Sequence, residues 1–306
     1  MGRALVTGGL GFIGFHLCER LLNEGYEVIL VDSMRDDIDV EKEEKWMRIG
    51  RNASLTFHNE MIENMDLKKM MKKVDIVFHL AALTHADSKW PRLTEVIEKN
   101  VTVTERLIHA STSETRFVYA STVEVYGERP GKITEKTSTN PTSPYGITKL
   151  ASERLIMREC KKKGIPYYIF RLPTVYGPWQ RSDMMFQQLL LGNENANVDR
   201  STADLLYVED CVDGLLLAAT TKKHNEVYHL STGRIGEWFS GLTLINKDHP
   251  KLAHKRPTVH VSNHKATDDL GYQVKTSLQE GIAKQKQHVE QWQRQVSRNE
   301  GDGIEE

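Results

Sequence analysis

Along the first two thirds of the chain, short apolar runs alternate with stretches whose apolar residues recur at helical spacing. Ala4-Leu5-Val6, Val28 to Val31, Val74 to Ala82, Phe117 to Ala120 and Tyr168-Ile169-Phe170 are apolar runs of strand length. Between them, Ile13, Leu17 and Leu21 mark a helix that ends at Asn23-Glu24-Gly25, and Leu93 to Ala110 reads as another. Strand and helix in alternation, with strands apolar throughout, predict an α/β fold: a doubly wound parallel sheet of Rossmann type, covered on both faces. Residues 41–45, Glu-Lys-Glu-Glu-Lys, read as a solvated helix face.

After Pro173 the alternation weakens. Residues 176–200 and 231–268 read as loop-rich, with a helix at Tyr207 to Thr220, a strand at Val227 to Leu230 and a closing helix from Ser277 to Gln295. The expected division is a sheet domain over 1–172, rejoined by about 203–230, and a small discontinuous second lobe made of 173–202 and 231–296. Residues 297–306 form a polar, acidic tail expected to be disordered.

The longest helix signal begins at Ser143-Pro144. Ser143 suits the cap and Pro144 the first helical position, Leu150, Leu155 and Ile156 extend an apolar face, and Gly164 with Pro166 stops it. Tyr145 and Lys149 lie four apart, so they share one face of this helix. A phenol titrates near pH ~10, and a fixed ammonium beside it favours the ionised form, which would make Tyr145 a base near neutral pH. The same spacing also fits an exposed Tyr and Lys on an amphipathic helix.

Composition narrows the partners. Lys plus Arg number 41 against 42 Asp plus Glu, so no net charge points to nucleic acid or an anionic membrane, and a small-molecule site is expected. Cys18, Cys160 and Cys211 lie far apart, which suggests neither a disulfide framework nor a metal site. The N-terminal residues lack the pattern of a signal peptide and no apolar run reaches ~18 residues, so a cytoplasmic protein is expected.

Thr7-Gly8-Gly9-Leu10-Gly11-Phe12-Ile13-Gly14 joins the first strand to the first helix. Gly8, Gly11 and Gly14 permit a tight turn, close approach of a pyrophosphate to the backbone and close packing of helix on strand. Asp32 ends the next strand 18 residues after Gly14, where a carboxylate accepts hydrogen bonds from the adenosine ribose; this favours NAD over NADP. Arg35 keeps a 2′-phosphate open, and an Asp at a strand end also serves as a turn residue. The small residues Ala81 and Ala82 after Leu80 leave room for a cofactor, as they would for a close-packed core.

Glycine turn, acidic strand end, Ala120-Ser121-Thr122-Val123-Glu124-Val125-Tyr126-Gly127 and Tyr145-x-x-x-Lys149 follow one another in that order. Together they resemble the extended short-chain dehydrogenase/reductase family, in particular its NAD-dependent nucleotide-sugar epimerases and dehydratases. The likeness covers about residues 2–230 and, more loosely, 256–282. It implies Thr122 as the hydroxyl that binds the sugar O4, Tyr145 as the base, and Lys149 as the residue that binds the nicotinamide ribose and lowers the tyrosine pKa. By the same likeness Phe12, Ile13, Glu60, Met61, Leu80, Ala81 and Ala82 line the cofactor, and Thr84, Asn100, Thr174, Arg181 and Arg256 the substrate.

The segment Arg171 to Met184 is most similar to UDP-glucuronate 4-epimerases, which implies a UDP-hexose or UDP-hexuronate, a transient 4-keto sugar and a 4-epimerase outcome. Glu124 resembles the C5 base of the dehydratases, but its Asp partner is Val123 here. It also fits a structural carboxylate satisfied by hydrogen bonds. Ala203 stands where relatives carry a diphosphate-gripping Arg, which lowers the decarboxylase alternative and leaves Arg256 and Arg200 as candidate cations. A catalytically silent NAD-binding sensor is the alternative from outside the enzymes. Family likeness also implies a homodimer packed through about 93–110 and 144–163.

Overall fold

The computed structural model describes residues 2–34, 39–83, 93–193, 204–249 and 259–302. In chain order the elements are β1 (Arg3–Thr7), α1 (Phe12–Asn23), β2 (Glu27–Asp32), α2 (Val40–Ile49), β3 (Leu55–Asn59), α3 (Leu67–Met70), β4 (Ile76–His79), α4 (Leu93–Ile97), α5 (Val103–Ala110), β5 (Arg116–Thr122), β6 (Gly131–Ile133), α6 (Pro144–Lys163), β7 (Tyr167–Leu172), β8 (Thr174–Tyr176), α7 (Met185–Leu190), β9 (Leu205–Tyr207), α8 (Val208–Thr220), β10 (Glu226–His229), α9 (Glu237–Ile245), β11 (Val259–Val261), α10 (His264–Leu270) and α11 (Leu278–Asp302).

Seven strands pair in the order β10-β7-β5-β4-β1-β2-β3, all parallel. The expected doubly wound sheet is therefore present. The strand order reverses between β1 and β4, whose carboxyl ends place Thr7 and His79 side by side. Ligands of open α/β sheets bind at such a reversal. Two small parallel pairs, β8 with β9 and β6 with β11, lie outside this sheet.

One apolar layer packs α3, α5 and α6 under the sheet, with Leu107, Ile108, Ile156 and Cys160 fully or nearly fully buried. The opposite layer starts from α1 and α8 and runs without a break into Phe186, Trp238 and Leu242 of the C-terminal elements. Among the described residues no helix is long and apolar enough to cross a membrane.

Several expectations need correction. The helix foreseen over Leu93 to Ala110 is interrupted by a π turn, Glu98–Thr102, which carries Asn100 inward. Among the described residues of 231–268 lie α9, β11 and the start of α10; a nine-residue helix containing Gly241 gave too short a periodic signal to be read. The closing helix continues to Asp302, so the tail foreseen as disordered is helical through that residue. The α2 charges are not all solvated: Lys45 is buried beside Trp179, and Lys42 reaches back to Asp32.

The helix α6 is fixed to the sheet by a buried ion pair. Arg171 on β7 donates to both carboxylate oxygens of Glu153 on α6, at 2.9 and 2.6 Å. Ser121 of β5 also donates to Glu153, and Arg171 donates to the Tyr126 hydroxyl. Burial by itself disfavours the guanidinium charge, but the hydrogen bonds and charge of Glu153 outweigh it and raise the Arg171 pKa. Removing one partner strands the other in the interior. Arg171→Met should cost about 3–5 kcal/mol in urea unfolding, and adding Glu153→Leu should recover most of that loss; a single variant as stable as the parent would show that the pair does not hold the helix.

Candidate active site

The glycine turn begins where β1 ends. Gly8 takes a left-handed backbone (φ +71°), and a Cβ there would lie 2.9 Å from the Ala81 nitrogen; a Cβ on Gly14 would lie 2.0 Å from the Gly8 carbonyl oxygen. The turn thus packs α1 against β1 and against Ala81, at the end of β4, at the closeness only glycine allows. Gly11 caps α1 with no side-chain hydrogen bond, and no acidic residue stands in the helix's first turn. Its leading N–H groups suit a phosphate. Phe12 and Ile13 open α1, and the Leu80 and Ala81 backbones are tied to this turn, Leu80 N to the Thr7 carbonyl and Ala81 N to the Thr7 hydroxyl. Ala82 follows directly, half-buried.

Asp32 lies at the end of β2, next to the turn, and accepts from Leu10 N at 2.9 Å and Ser33 N at 2.8 Å. Glu60 N donates to the Asp32 carbonyl at 3.0 Å, which brings Glu60 and Met61 to the same strand ends. These features fit the dinucleotide that the sequence implied. Arg35, Thr84, Arg200, Ala203 and Arg256 lie outside the described residues.

The second half of the site is built on β5 and α6. Thr122 ends β5 and its hydroxyl accepts from Glu124 N at 3.2 Å, starting a single 3-10 turn, Val123–Tyr126. Ser143 caps α6 by accepting from Gly146 N at 3.0 Å. One turn apart, Tyr145 and Lys149 share a face as foreseen, with the ammonium 5.5 Å from the Tyr145 ring centre and 4.6 Å from that of Tyr119. Lys149 Nζ donates to the Ala120 carbonyl at 2.8 Å.

Electrostatics correct one expectation. Burial raises the Tyr145 pKa above its ordinary value, the negative charge of Glu124 adds to it, and Arg181 opposes. Burial takes Lys149 down to about 7, with Glu153 opposing. Lys149 is fully buried and Tyr145 half-buried, and the ammonium is bonded to a carbonyl rather than to the phenol, so in the protein alone the Lys149 charge does not lower the Tyr145 pKa below its ordinary value. Glu124 is also raised, by burial, with the hydrogen bond from Ser143 Oγ (2.8 Å) working the other way.

Arg181 is within electrostatic reach of Tyr145 and forks onto Asp183 at 2.8 and 2.6 Å. Thr174 opens β8, the strand that follows Pro173. Asn100 is a different case from the substrate ligand the likeness implied. Its amide accepts from Leu83 N at 2.8 Å and donates to the Leu83 carbonyl and the Thr148 hydroxyl, both at 3.3 Å. Buried and engaged at both ends, it positions the backbone after Ala82 against α6. Nothing in the local sequence pattern pointed to His79, which bridges Thr7 (2.7 Å) and Thr104 (3.0 Å) beneath the turn. Burial, then the Lys149 charge, takes His79 down to about 3, so it is neutral.

The Lys149 shift has a sign that can be measured. Between about pH 7 and its ordinary 10.5 the unfolded chain keeps a proton that the folded protein has released. Stability from this group therefore rises with pH through that window, by at most about 1.4 kcal/mol per pH unit. Urea unfolding should show the parent gaining on Lys149→Met between about pH 7 and about pH 10; a constant difference would mean that Lys149 is not held low.

Comparison with known proteins agrees with this geometry. A Bacillus subtilis (strain 168) protein described as an uncharacterized UDP-glucose epimerase, YtcB, is 33% identical over 306 residues, covering 92% of this chain and 95% of its own. The human dTDP-D-glucose 4,6-dehydratase is 29% identical over 297 residues, covering 92% of this chain and 84% of its own. Among solved structures, the UDP-glucuronic acid 4-epimerase from Bacillus cereus in complex with NAD superposes with a TM-score of 0.82 at 31% identity, covering 95% of this chain and 98% of its own. Residues 4–231 match the NAD dependent epimerase/dehydratase family, and the chain belongs to that family.

Proposed function

We propose that this protein is an NAD-dependent nucleotide-sugar 4-epimerase acting on a UDP-linked hexose or hexuronate. The observation that carries the reading is Thr122, Tyr145 and Lys149 gathered at the strand ends while Val123, the position of a dehydratase's acid, is apolar and packed with Val125, Tyr126, Ile133 and Val261. The similarity to the Bacillus cereus UDP-glucuronic acid 4-epimerase in complex with NAD supports both the outcome and the cofactor.

Bound NAD would supply an oxidising, positively charged nicotinamide as acceptor and donor of the C4 hydride, and its charge would favour phenolate at Tyr145. The glycine turn and the α1 N-terminus would hold the pyrophosphate, and Asp32 the adenosine ribose. Thr122 orients the sugar O4. Tyr145 takes the O4 proton as C4 becomes a carbonyl, then gives it back after the sugar has presented its other face. Lys149 would hold the nicotinamide ribose. Thr174 and Arg181 would meet the sugar's C5 substituent, in a substrate lobe of 173–202 and 231–296 that includes β8, α7 and α9. No second acid is needed for epimerisation, which suits the apolar Val123.

The protein works as a cytoplasmic homodimer paired through α4, α5 and α6, a reading supported by Ile97, 41% exposed on α4, and by three buried, unpaired cysteines suited to a reducing compartment.

A second reading is favoured by one observation: Glu124 is a half-buried carboxylate whose charge acts directly on Tyr145, where a dehydratase would place its C5 base. Incubation with a panel of nucleotide sugars separates the two. An epimerase leaves product mass unchanged, and a dehydratase releases water. Tyr145→Phe should lower turnover by about two to four orders of magnitude with nucleotide-sugar binding nearly intact, and near-parental turnover would sink the mechanism. Glu124→Gln should lose little turnover and leave the C5 hydrogen unexchanged in deuterated water; deuterium at C5 with a stalled variant would establish the dehydratase instead.

A further inference from the structure

The α2 residue Lys42 does more than face solvent. Its Nζ donates to Asp32 Oδ1 at 2.9 Å and to the Ser33 carbonyl at 2.8 Å, with Asp39 Oδ2 at 4.0 Å. Asp39 also caps α2, accepting from Lys42 N at 3.1 Å, so the first turn of α2 is fixed in the place that sends Lys42 back to the end of β2. The Lys42 side chain is 24% exposed and that of Asp32 10%, so the pair sits at the rim of the cofactor crevice rather than in open water.

Two consequences follow for the adenosine ribose. A carboxylate has about four lone-pair directions. Among the described residues, Ser33 N and Lys42 fill those of Oδ1, and Leu10 N takes one on Oδ2. Asp32 then has one direction for a ribose hydroxyl instead of a grip on two. Second, an unpaired carboxylate at this place repels a 2′-phosphate, whereas Asp32 carries a bonded ammonium. An ammonium has three donors; the described partners use two.

We infer that Lys42 sets the cofactor preference of this protein: by pairing with Asp32 it offers a cation to a 2′-phosphate and narrows the advantage of NAD⁺ over NADP⁺. The inference rests on the reading of the glycine turn and Asp32 as a dinucleotide site. It concerns binding and is independent of which sugar is turned over.

Calorimetric titration of nucleotide-stripped protein with NAD⁺ and with NADP⁺ tests it in the parent, Lys42→Met and Lys42→Arg. Lys42→Met should weaken NADP⁺ by about tenfold or more and change NAD⁺ by less than about threefold, the expected effect of losing one charge-assisted contact. Lys42→Arg, which keeps the cation, should retain NADP⁺ binding within about threefold of the parent. If Lys42→Met weakens both dinucleotides alike, or leaves their ratio unchanged, Lys42 merely supports the strand end and the inference is overturned. If the parent binds neither dinucleotide, the cofactor reading itself fails and takes the inference with it, an outcome distinct from an unchanged ratio.

Discussion

The buried pair between Glu153 and Arg171 is the constraint on which the site depends. It joins α6 to β7, and through Ser121 to β5, at the level where those strands end. Lys149 and Tyr145 lie one and two turns nearer the N-terminus of the same helix, so their distance from Thr122 is set by this clamp. The network continues outward: Tyr126 bonds both Arg171 and His229, and His229 meets the Ser262 carbonyl at 2.9 Å. One charge pair therefore ties α6, the central strands and the segment after β11. Desolvating two charges costs several kcal/mol per ion, so the pair adds little net stability. What it supplies is a single register for α6, because any other placement would leave a charge buried and unpaired.

With α6 fixed, packing determines the chemistry of its residues. Burial moves the phenol up and the ammonium down, in each case away from the charged form. A positive charge bound beside Tyr145 would counter the first shift. Glu124, held by Ser143 beside the same phenol, opposes that reversal with its own charge. The cap of α6 and the placement of Glu124 thus depend on one hydroxyl.

The sheet arrangement brings the two halves together. Thr7, Asp32, His79 and Thr122 are the last residues of β1, β2, β4 and β5, so residues over a hundred positions apart share one edge. His79, kept neutral, fills the space below the turn without adding charge near the pyrophosphate. Asn100, on its π turn, closes the gap between Leu83 and Thr148.

By itself, the sequence determined whatever follows from local period and backbone freedom. Apolar runs and helical spacing specified the parallel sheet, the glycines specified the turn, and the i, i+4 spacing put Tyr145 and Lys149 on one face, since each depends only on residues a few positions apart. The order of motifs was enough to reveal the family. Tertiary structure alone decided the rest. The bond from Ser143 to Glu124 spans 19 positions and that from Lys42 to Asp32 spans 10, and no periodicity connects them. A run of charges on α2 reads as solvated until packing buries Lys45 and turns Lys42 toward the strand end. The Tyr145 and Lys149 titrations belong to the same class: spacing brings the two groups together, but their charge states depend on how much water the surrounding elements exclude, and that is a property of the packed molecule.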